Sequence, residues 1–289
     1  PDVLLKRYTF ALAAHLFNAT VLAQVNVVTS IRPLQLIASE ITQGVSMPAV
    51  ILENSQDPHH PALRPSQRQQ MSEAEIFLWV GPGLETGFDR VAANLDAAVI
   101  KALELPLHLY HVGGQLDPHV WLSLANAGLI GEALALELTR QDPLNAALYS
   151  NNLDRFSNKL VEHEERINSL LDADTFPPYA VYHDAFQYFE TQFGLSHETS
   201  FTANEELQPG IRKILQVKNI IEAANAKCII VSPSVNTEFL QNQLGIKDLK
   251  FVEADQLGSG LGSETTYTDF MLGLASSFSN CRNNNQAAQ

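Results

Sequence analysis

Short β-branched and apolar runs alternate with helix-like stretches along the chain, and the rhythm occurs twice. In the first half, Val25–Ile31, Met47–Leu52, Ile76–Val80 and Ala98–Leu103 have strand character, with helical patterning in Leu34–Thr42, Pro65–Ala74 and Thr86–Leu95 between them. In the second half, Tyr179–Tyr182, His197–Phe201, Cys228–Ser232 and Leu249–Ala254 are the strand candidates. Helical stretches run over 184–193, 209–225, 235–243 and 266–279. Alternation of this kind predicts βαβ units and parallel sheets. The expected fold is therefore α/β, in two lobes.

The stretch between the halves has a different pattern. Asp142 is a good N-cap, and Pro143 suits the first helical turn. Leu144, Leu148, Leu160, Ile167 and Leu171 recur at roughly helical spacing, and Pro177-Pro178 ends the run. At 1.5 Å per residue, about thirty residues make a rod of roughly 45 Å, a stiff connector between lobes. Polar residues interrupt the apolar pattern midway, so two shorter helices meeting at Asn151-Asn152 are the alternative. The divisions expected are an N-terminal lobe over 25–141, a linking helix over 142–174 and a C-terminal lobe over 175–289.

Residues 1–24 read as an export signal. Lys6 and Arg7 begin it, Tyr8–Phe17 is an apolar stretch, and Val21 and Ala23 are small residues suited to cleavage near Ala23. A buried N-terminal helix is the alternative. Export bears on Cys228 and Cys281, the only cysteines, because a thiol pair in an oxidising compartment tends to become a disulfide.

Composition narrows the function classes. The chain has 289 residues, and 45% hydrophobic content can build a substantial core. Eighteen Lys and Arg against 32 Asp and Glu leave a net charge of −14, the wrong sign for a nucleic-acid partner. There is no phosphate-binding glycine loop; Gly81-Pro82-Gly83 lacks the remainder of a dinucleotide fingerprint.

The candidate chemistry lies in histidines beside rigid punctuation. His59 stands in Asp57-Pro58-His59-His60-Pro61, His119 in Asp117-Pro118-His119-Val120-Trp121, and His183 in Tyr182-His183-Asp184 directly after a strand. Asp255 follows another strand, in Glu253-Ala254-Asp255-Gln256-Leu257-Gly258. Ligands of open α/β sheets bind beyond the carboxyl ends of strands, so all four can face one cleft between the lobes. Three imidazoles and a carboxylate suit Zn²⁺ and close a tetrahedron around it, whereas Ca²⁺ and Mg²⁺ want oxygen cages. A closed shell leaves no open position for a catalytic water and points to binding rather than hydrolysis. Asp184 and Glu206 are candidates to orient a ligand imidazole from behind. Gly258 and Gly260 suggest a mobile loop around Asp255. His163, among Glu162, Glu164 and Glu165, reads as part of a solvated helix face. His60, His108 and His111 read as surface residues, with a weak second metal site as the alternative.

Taken in order, these words resemble a known family. His-x-x-x-x-Arg-Pro-Ser at His59–Ser66, Asp-Pro-His-x-Trp at Asp117–Trp121 and His-Asp-Ala-Phe-x-Tyr-Phe at His183–Phe189 are similar to the metal-binding receptors of zinc and manganese ABC importers. Phe193-Gly194-Leu195, Glu206–Gly210 and Asp255-x-Leu-Gly continue the likeness, which covers essentially the whole chain after residue 25. The resemblance implies two lobes, each a four-stranded parallel sheet with flanking helices, joined by one long backbone helix, with one Zn²⁺ between them. It implies His59, His119, His183 and Asp255 as ligands. It also implies a monomer in the periplasm that hands its metal to a membrane permease. Manganese receptors resembling this chain commonly carry a carboxylate where His183 stands, so the resemblance favours Zn²⁺ over Mn²⁺. It implies too that Cys228 and Cys281 are bridged. The long His- and acid-rich loop of many zinc receptors is missing, since the interval Leu107–Gln115 holds only His108 and His111. The competing readings are a manganese or iron receptor, an adhesin and a zinc hydrolase. No His-Glu-x-x-His motif supports the last.

Overall fold

The computed structural model describes residues 24–52, 56–112, 114–203 and 208–282. The expected export signal and its cleavage near Ala23 fall outside the described residues, apart from Gln24. No helix among the described residues is long and apolar enough to cross a membrane.

The first half runs β1 (Val27–Thr29), α1 (Arg32–Thr42), β2 (Ala49–Val50), α2 (Pro65–Ser72), β3 (Ile76–Trp79), α3 (Phe88–Ala92) and β4 (Ala98–Lys101). A small hairpin, β5 (His111–Val112) with β6 (Gln115–Leu116), and the helix α4 (Leu124–Gln141) follow. The helix α5 spans Ala146–Leu171. The second half runs β7 (Tyr179–His183), α6 (Gln187–Phe193), β8 (Ser200–Thr202), α7 (Ile211–Ala223), β9 (Cys228–Val231), α8 (Thr237–Leu244), β10 (Lys250–Glu253) and α9 (Tyr267–Ser279). Every strand run read from the sequence overlaps one of these strands, although β7 and β8 each extend one residue past the run. The hairpin and α4 are additions.

Two four-stranded sheets form, ordered β2-β1-β3-β4 and β10-β9-β7-β8, with every pair in them parallel. Counted from the first strand of each lobe, the two orders are the same. In each sheet the chain reverses its winding beside that first strand, which opens a crevice at the carboxyl ends.

α5 is one uninterrupted helix of 26 residues, about 39 Å long at 1.5 Å per residue, without a break at Asn151-Asn152. Its buried seam is Tyr149, Asn152, Phe156, Leu160, His163, Ile167 and Leu171, spaced three and four apart throughout. The polar members explain why the apolar pattern looked interrupted. Asn152 Nδ2 donates to the carbonyls of Ile41 (2.8 Å) and Gln43 (2.9 Å), satisfying backbone groups that the end of α1 leaves unpaired. His163 Nδ1 donates to Lys159 O at 2.8 Å. His163 is therefore buried within the helix packing, not part of a solvated face. Leu144, by contrast, is exposed.

α4 packs beside α5 through Leu124, Ala127, Ile130, Leu134 and Leu138. Its Gly131 permits that approach: a Cβ there would lie 3.3 Å from both Ile41 and Phe156. One apolar core runs through both lobes along α1, α4, α5 and α9, and a smaller one lies under α7 and α8. The C-terminal helix α9 contacts α5 and α1 as well as its own lobe. Behind it, Cys281 is bonded to Cys228 at the start of β9, with Cα atoms 5.5 Å apart. Closing a loop of that size stabilises by about 4 kcal/mol on the chain-entropy argument. Arg282 then donates to Leu171 O (2.9 Å) and pairs with Asp172 (3.0 Å), capping the far end of α5.

Candidate metal centre

His59, His119 and His183 come together between the lobes, each with a ligand nitrogen within 4.8 Å of the others. Their ring centroids lie 4.9–5.6 Å apart, with the rings steeply inclined to one another. Nitrogens bound tetrahedrally to zinc at about 2.0–2.1 Å would sit roughly 3.3 Å apart, a spacing inside the bound that the three rings already meet. His119 and His183 are buried, and His59 is half-buried.

His183 is the last residue of β7, and its backbone pairs with Thr202 in β8. That register places Ala203 next to its ring, and His183 Nε2 donates to Ala203 O at 3.1 Å. A carbonyl only accepts, so Nε2 carries the hydrogen and Nδ1 bears the lone pair of the neutral ring. His119 is set in the opposite sense. Its Nδ1 donates to Asp117 Oδ1 at 2.7 Å, and its backbone N–H donates to the same oxygen at 3.0 Å. The lone pair of His119 therefore sits on Nε2, in the carboxylate–histidine arrangement that orients metal ligands. His59 lies in the loop between β2 and α2. Its N–H donates to Asp57 Oδ1 at 3.0 Å, and its carbonyl accepts from the Thr86 hydroxyl at 2.6 Å. Beneath Thr86, Glu85 is wholly buried where β1 and β3 end. It accepts from the Ser30 hydroxyl and from the N–H groups of Val80 (3.2 Å) and Gly81 (3.0 Å). Burial outweighs those hydrogen bonds and pushes the Glu85 carboxyl up to about 7.

The structure does not bring Asp255 to the three histidines. Its Oδ1 accepts from Leu257 N–H (3.0 Å), and its Oδ2 accepts from Ser259 Oγ (2.8 Å) and Gly260 N–H (3.0 Å). Asp255 thus organises its own loop, while its neighbour Gln256 lines the cleft. Gly258 belongs to that turn, with φ +65°, and a Cβ there would lie 2.9 Å from Leu261. A tight, packed turn accounts for that glycine better than mobility does. Asp184 lies 3.7 Å from His197 Nε2, in a cluster where His197 Nδ1 is 2.9 Å from both oxygens of Glu190. Glu206 lies outside the described residues. Sequence reasoning missed Asp117, although its repeated Asp-Pro-His setting was visible. His60, His108 and His111 join no second group of metal-binding side chains among the described residues.

A chain of buried hydrogen bonds ties the His119 segment to the second lobe. Trp121 Nε1 donates to Gln256 O (2.8 Å), the Tyr267 hydroxyl to Trp121 O (2.7 Å), and the Tyr188 hydroxyl to Asp117 O (2.9 Å). Arg32 adds a bond to Gly262 O at 3.0 Å.

Comparison with known proteins adds the family context. The family model described as zinc-uptake complex component A, periplasmic, matches residues 27–281. The high-affinity zinc uptake system protein ZnuA of Yersinia pestis is 31% identical, over 96% of this chain and 97% of its own length. Among solved structures, a crystal structure of ZnuA superposes with a TM-score of 0.77 at 22% identity, covering 89% of this chain and 98% of its own. The laminin-binding protein of Streptococcus agalactiae, described as a bifunctional adhesin and metal transporter, also gives 0.77, at 21% identity over 89% of this chain and 98% of its own. At these identities the structural matches speak for the fold.

Proposed function

Because the chain belongs to the zinc-uptake complex component A family, we propose that it binds Zn²⁺ tightly in the periplasm and delivers it to the membrane permease of an ABC importer. The observation that carries the reading is the convergence of His59, His119 and His183 from three separate segments, two of them with the ring tautomer already set. Neutral nitrogen donors at this spacing fit Zn²⁺, while Mn²⁺ favours harder oxygen ligands. The family is one of transport receptors, not enzymes.

We assign His59, His119 and His183 as the zinc ligands, one ion per chain, and the fourth position to water. Asp255 would have to give up three hydrogen bonds to reach the metal. With water in that place, coordination number does not separate a receptor from a hydrolase, and family membership makes the distinction. Tyr188, Gln256 and Arg32 hold the lobes together across the cleft, which suits a receptor whose lobes move little about α5. We take the working unit to be a monomer, exported with cleavage near Ala23.

The test is elemental analysis of protein purified from the periplasm, followed by calorimetric titration of the stripped protein with Zn²⁺ and Mn²⁺. One zinc per chain and much weaker manganese binding are expected. Equal or tighter manganese binding would overturn the assignment. Imidazoles must be neutral to ligate, so protons compete with the metal and zinc affinity falls as the solution is made acid.

A further inference from the structure

We propose that Tyr188 is a positioning residue for the metal centre, and that its hydroxyl sets the separation of His119 and His183. The inference rests on the zinc reading above. Tyr188 lies on α6, five residues beyond His183, and is buried. Its hydroxyl is inserted into the foot of the β5–β6 hairpin in the first lobe. That hairpin pairs His111 with Leu116 and Val112 with Gln115, so the next facing pair is Tyr110 and Asp117. Facing residues of a hydrogen-bonded antiparallel pair exchange two N–H···O bonds. Only one of the two is direct here: Asp117 N–H donates to Tyr110 O at 3.0 Å. In place of the other, Tyr110 N–H donates to the Tyr188 hydroxyl at 3.2 Å, and that hydroxyl donates to Asp117 O at 2.9 Å. The Tyr188 ring packs on Tyr110, with centroids 5.0 Å apart.

The consequence follows from what each neighbour holds. Asp117 orients the His119 ring, and Tyr188 is joined through five residues to His183. Both rings therefore hang from one hydroxyl. Packing alone would be served by phenylalanine, and a buried hydroxyl is tolerated only where its hydrogen bonds are made. In Tyr188→Phe, Tyr110 N–H and Asp117 O can bond to each other directly and complete the ladder. The variant can thus fold with its buried backbone groups satisfied. The hairpin, however, draws Asp117 and His119 away from the second lobe.

The experiment compares wild type, Tyr188→Phe and Tyr149→Phe, each checked for folding by circular dichroism and thermal melting. Tyr149 is a control because it is equally buried and its hydroxyl makes a hydrogen bond, to Asp142 (2.8 Å), at the start of α5, outside both the hairpin and the His119 segment. Zn²⁺ affinity is measured by competition with a chelator, and coordination geometry from the visible spectrum of the Co²⁺-loaded protein. Tyr188→Phe is expected to melt near wild type, lose about tenfold in zinc affinity and weaken the intense tetrahedral Co²⁺ bands, as the loss of a group that orients a ligand does. Tyr149→Phe is expected to keep the wild-type spectrum. Unchanged affinity and spectrum in Tyr188→Phe, or equal spectral changes in both variants, would overturn the role given to Tyr188. A wild-type protein that binds neither metal would instead remove the zinc reading itself.

Discussion

The same three residues, Asp-Pro-His, occur twice in the metal centre, and the two copies do different work. In both, the aspartate Oδ1 accepts the histidine N–H at 3.0 Å, the same local turn. At 117–119 that oxygen also takes the ring Nδ1 of His119, at 2.7 Å. At 57–59 the other carboxylate oxygen faces the neighbouring His60, 3.2 Å away. Burial separates the copies. The side chains of Asp117 and His119 are 1% and 4% exposed, whereas those of Asp57 and His60 are 14% and 63% exposed. A shut-in carboxylate needs a donor close at hand and finds it in the His119 ring, while a carboxylate near water is free to pair outward. One short word therefore builds an oriented histidine ring in one place and a tethered loop in the other.

The strongest test removes the ligands themselves. His119→Ala and His59→Ala should each weaken zinc binding by about a thousandfold or more in calorimetry, since each takes away one of three nitrogen donors. Near-normal binding by either would break the three-histidine assignment.

The segment that holds the His59 loop through Thr86 should show a pH signature. The Glu85 carboxyl, raised from 4.5 to about 7, favours its protonated form in the folded chain. Its contribution is fully present below pH 4.5 and is lost as pH rises through about 7. A shift of that size corresponds to roughly 3 kcal/mol between those limits. Urea midpoints of wild type and Glu85→Gln, followed from pH 4.5 to 8, should diverge in slope, with the wild type losing stability relative to the variant as pH rises. Parallel curves would show that Glu85 does not titrate in this window.

The contrast between the turns is most directly exposed by the aspartates. Asp117→Asn should cost about tenfold to a hundredfold in zinc affinity, because it disturbs the partner that sets the His119 ring. Asp57→Asn keeps an oxygen for the His59 N–H and should cost only a few-fold on the same argument. Equal losses would mean that the two carboxylates act alike.

The smallest effect belongs to Thr86→Val, which removes the hydroxyl holding His59 O. A single hydrogen bond contributes about 1 kcal/mol, so zinc should dissociate a few-fold faster in stopped-flow chelation. A rate equal to wild type would place the hold on His59 elsewhere.

Much of this molecule could be read from neighbours in the chain. Strand–helix alternation and the three histidine words rest on periodicity or on motifs of a few residues, and the bridge between Cys228 and Cys281 was legible from there being only two cysteines and from the family resemblance. Where the reading fell short, partners distant in sequence had intervened. The α5 seam looked broken because Asn152 and His163 are polar, yet Asn152 is buried to serve carbonyls at Ile41 and Gln43, about a hundred residues earlier. α4 went unread because its two glycines, Gly128 and Gly131, look like helix breakers until Leu160 and Phe156 are seen packed against them.

The metal centre divides along the same line. The aspartate turns are local, since a carboxylate accepting from the N–H two residues on needs nothing but its own segment. Local chemistry also holds Asp255 in such a turn, where its oxygens are occupied within five residues. By itself the sequence put His183 at the end of a strand and picked out His59 and His119 as loop histidines that can face the same cleft. Only the tertiary structure decided which of them has an oriented ring, which carboxylate stays out of the cluster, and that a tyrosine from one lobe completes the hairpin of the other. Those outcomes depend on burial and on hydrogen bonds spanning 71 residues from Tyr188 to Asp117 and 135 from Trp121 to Gln256. No local pattern encodes such distances, because the groups meet only when the shared core brings the lobes together.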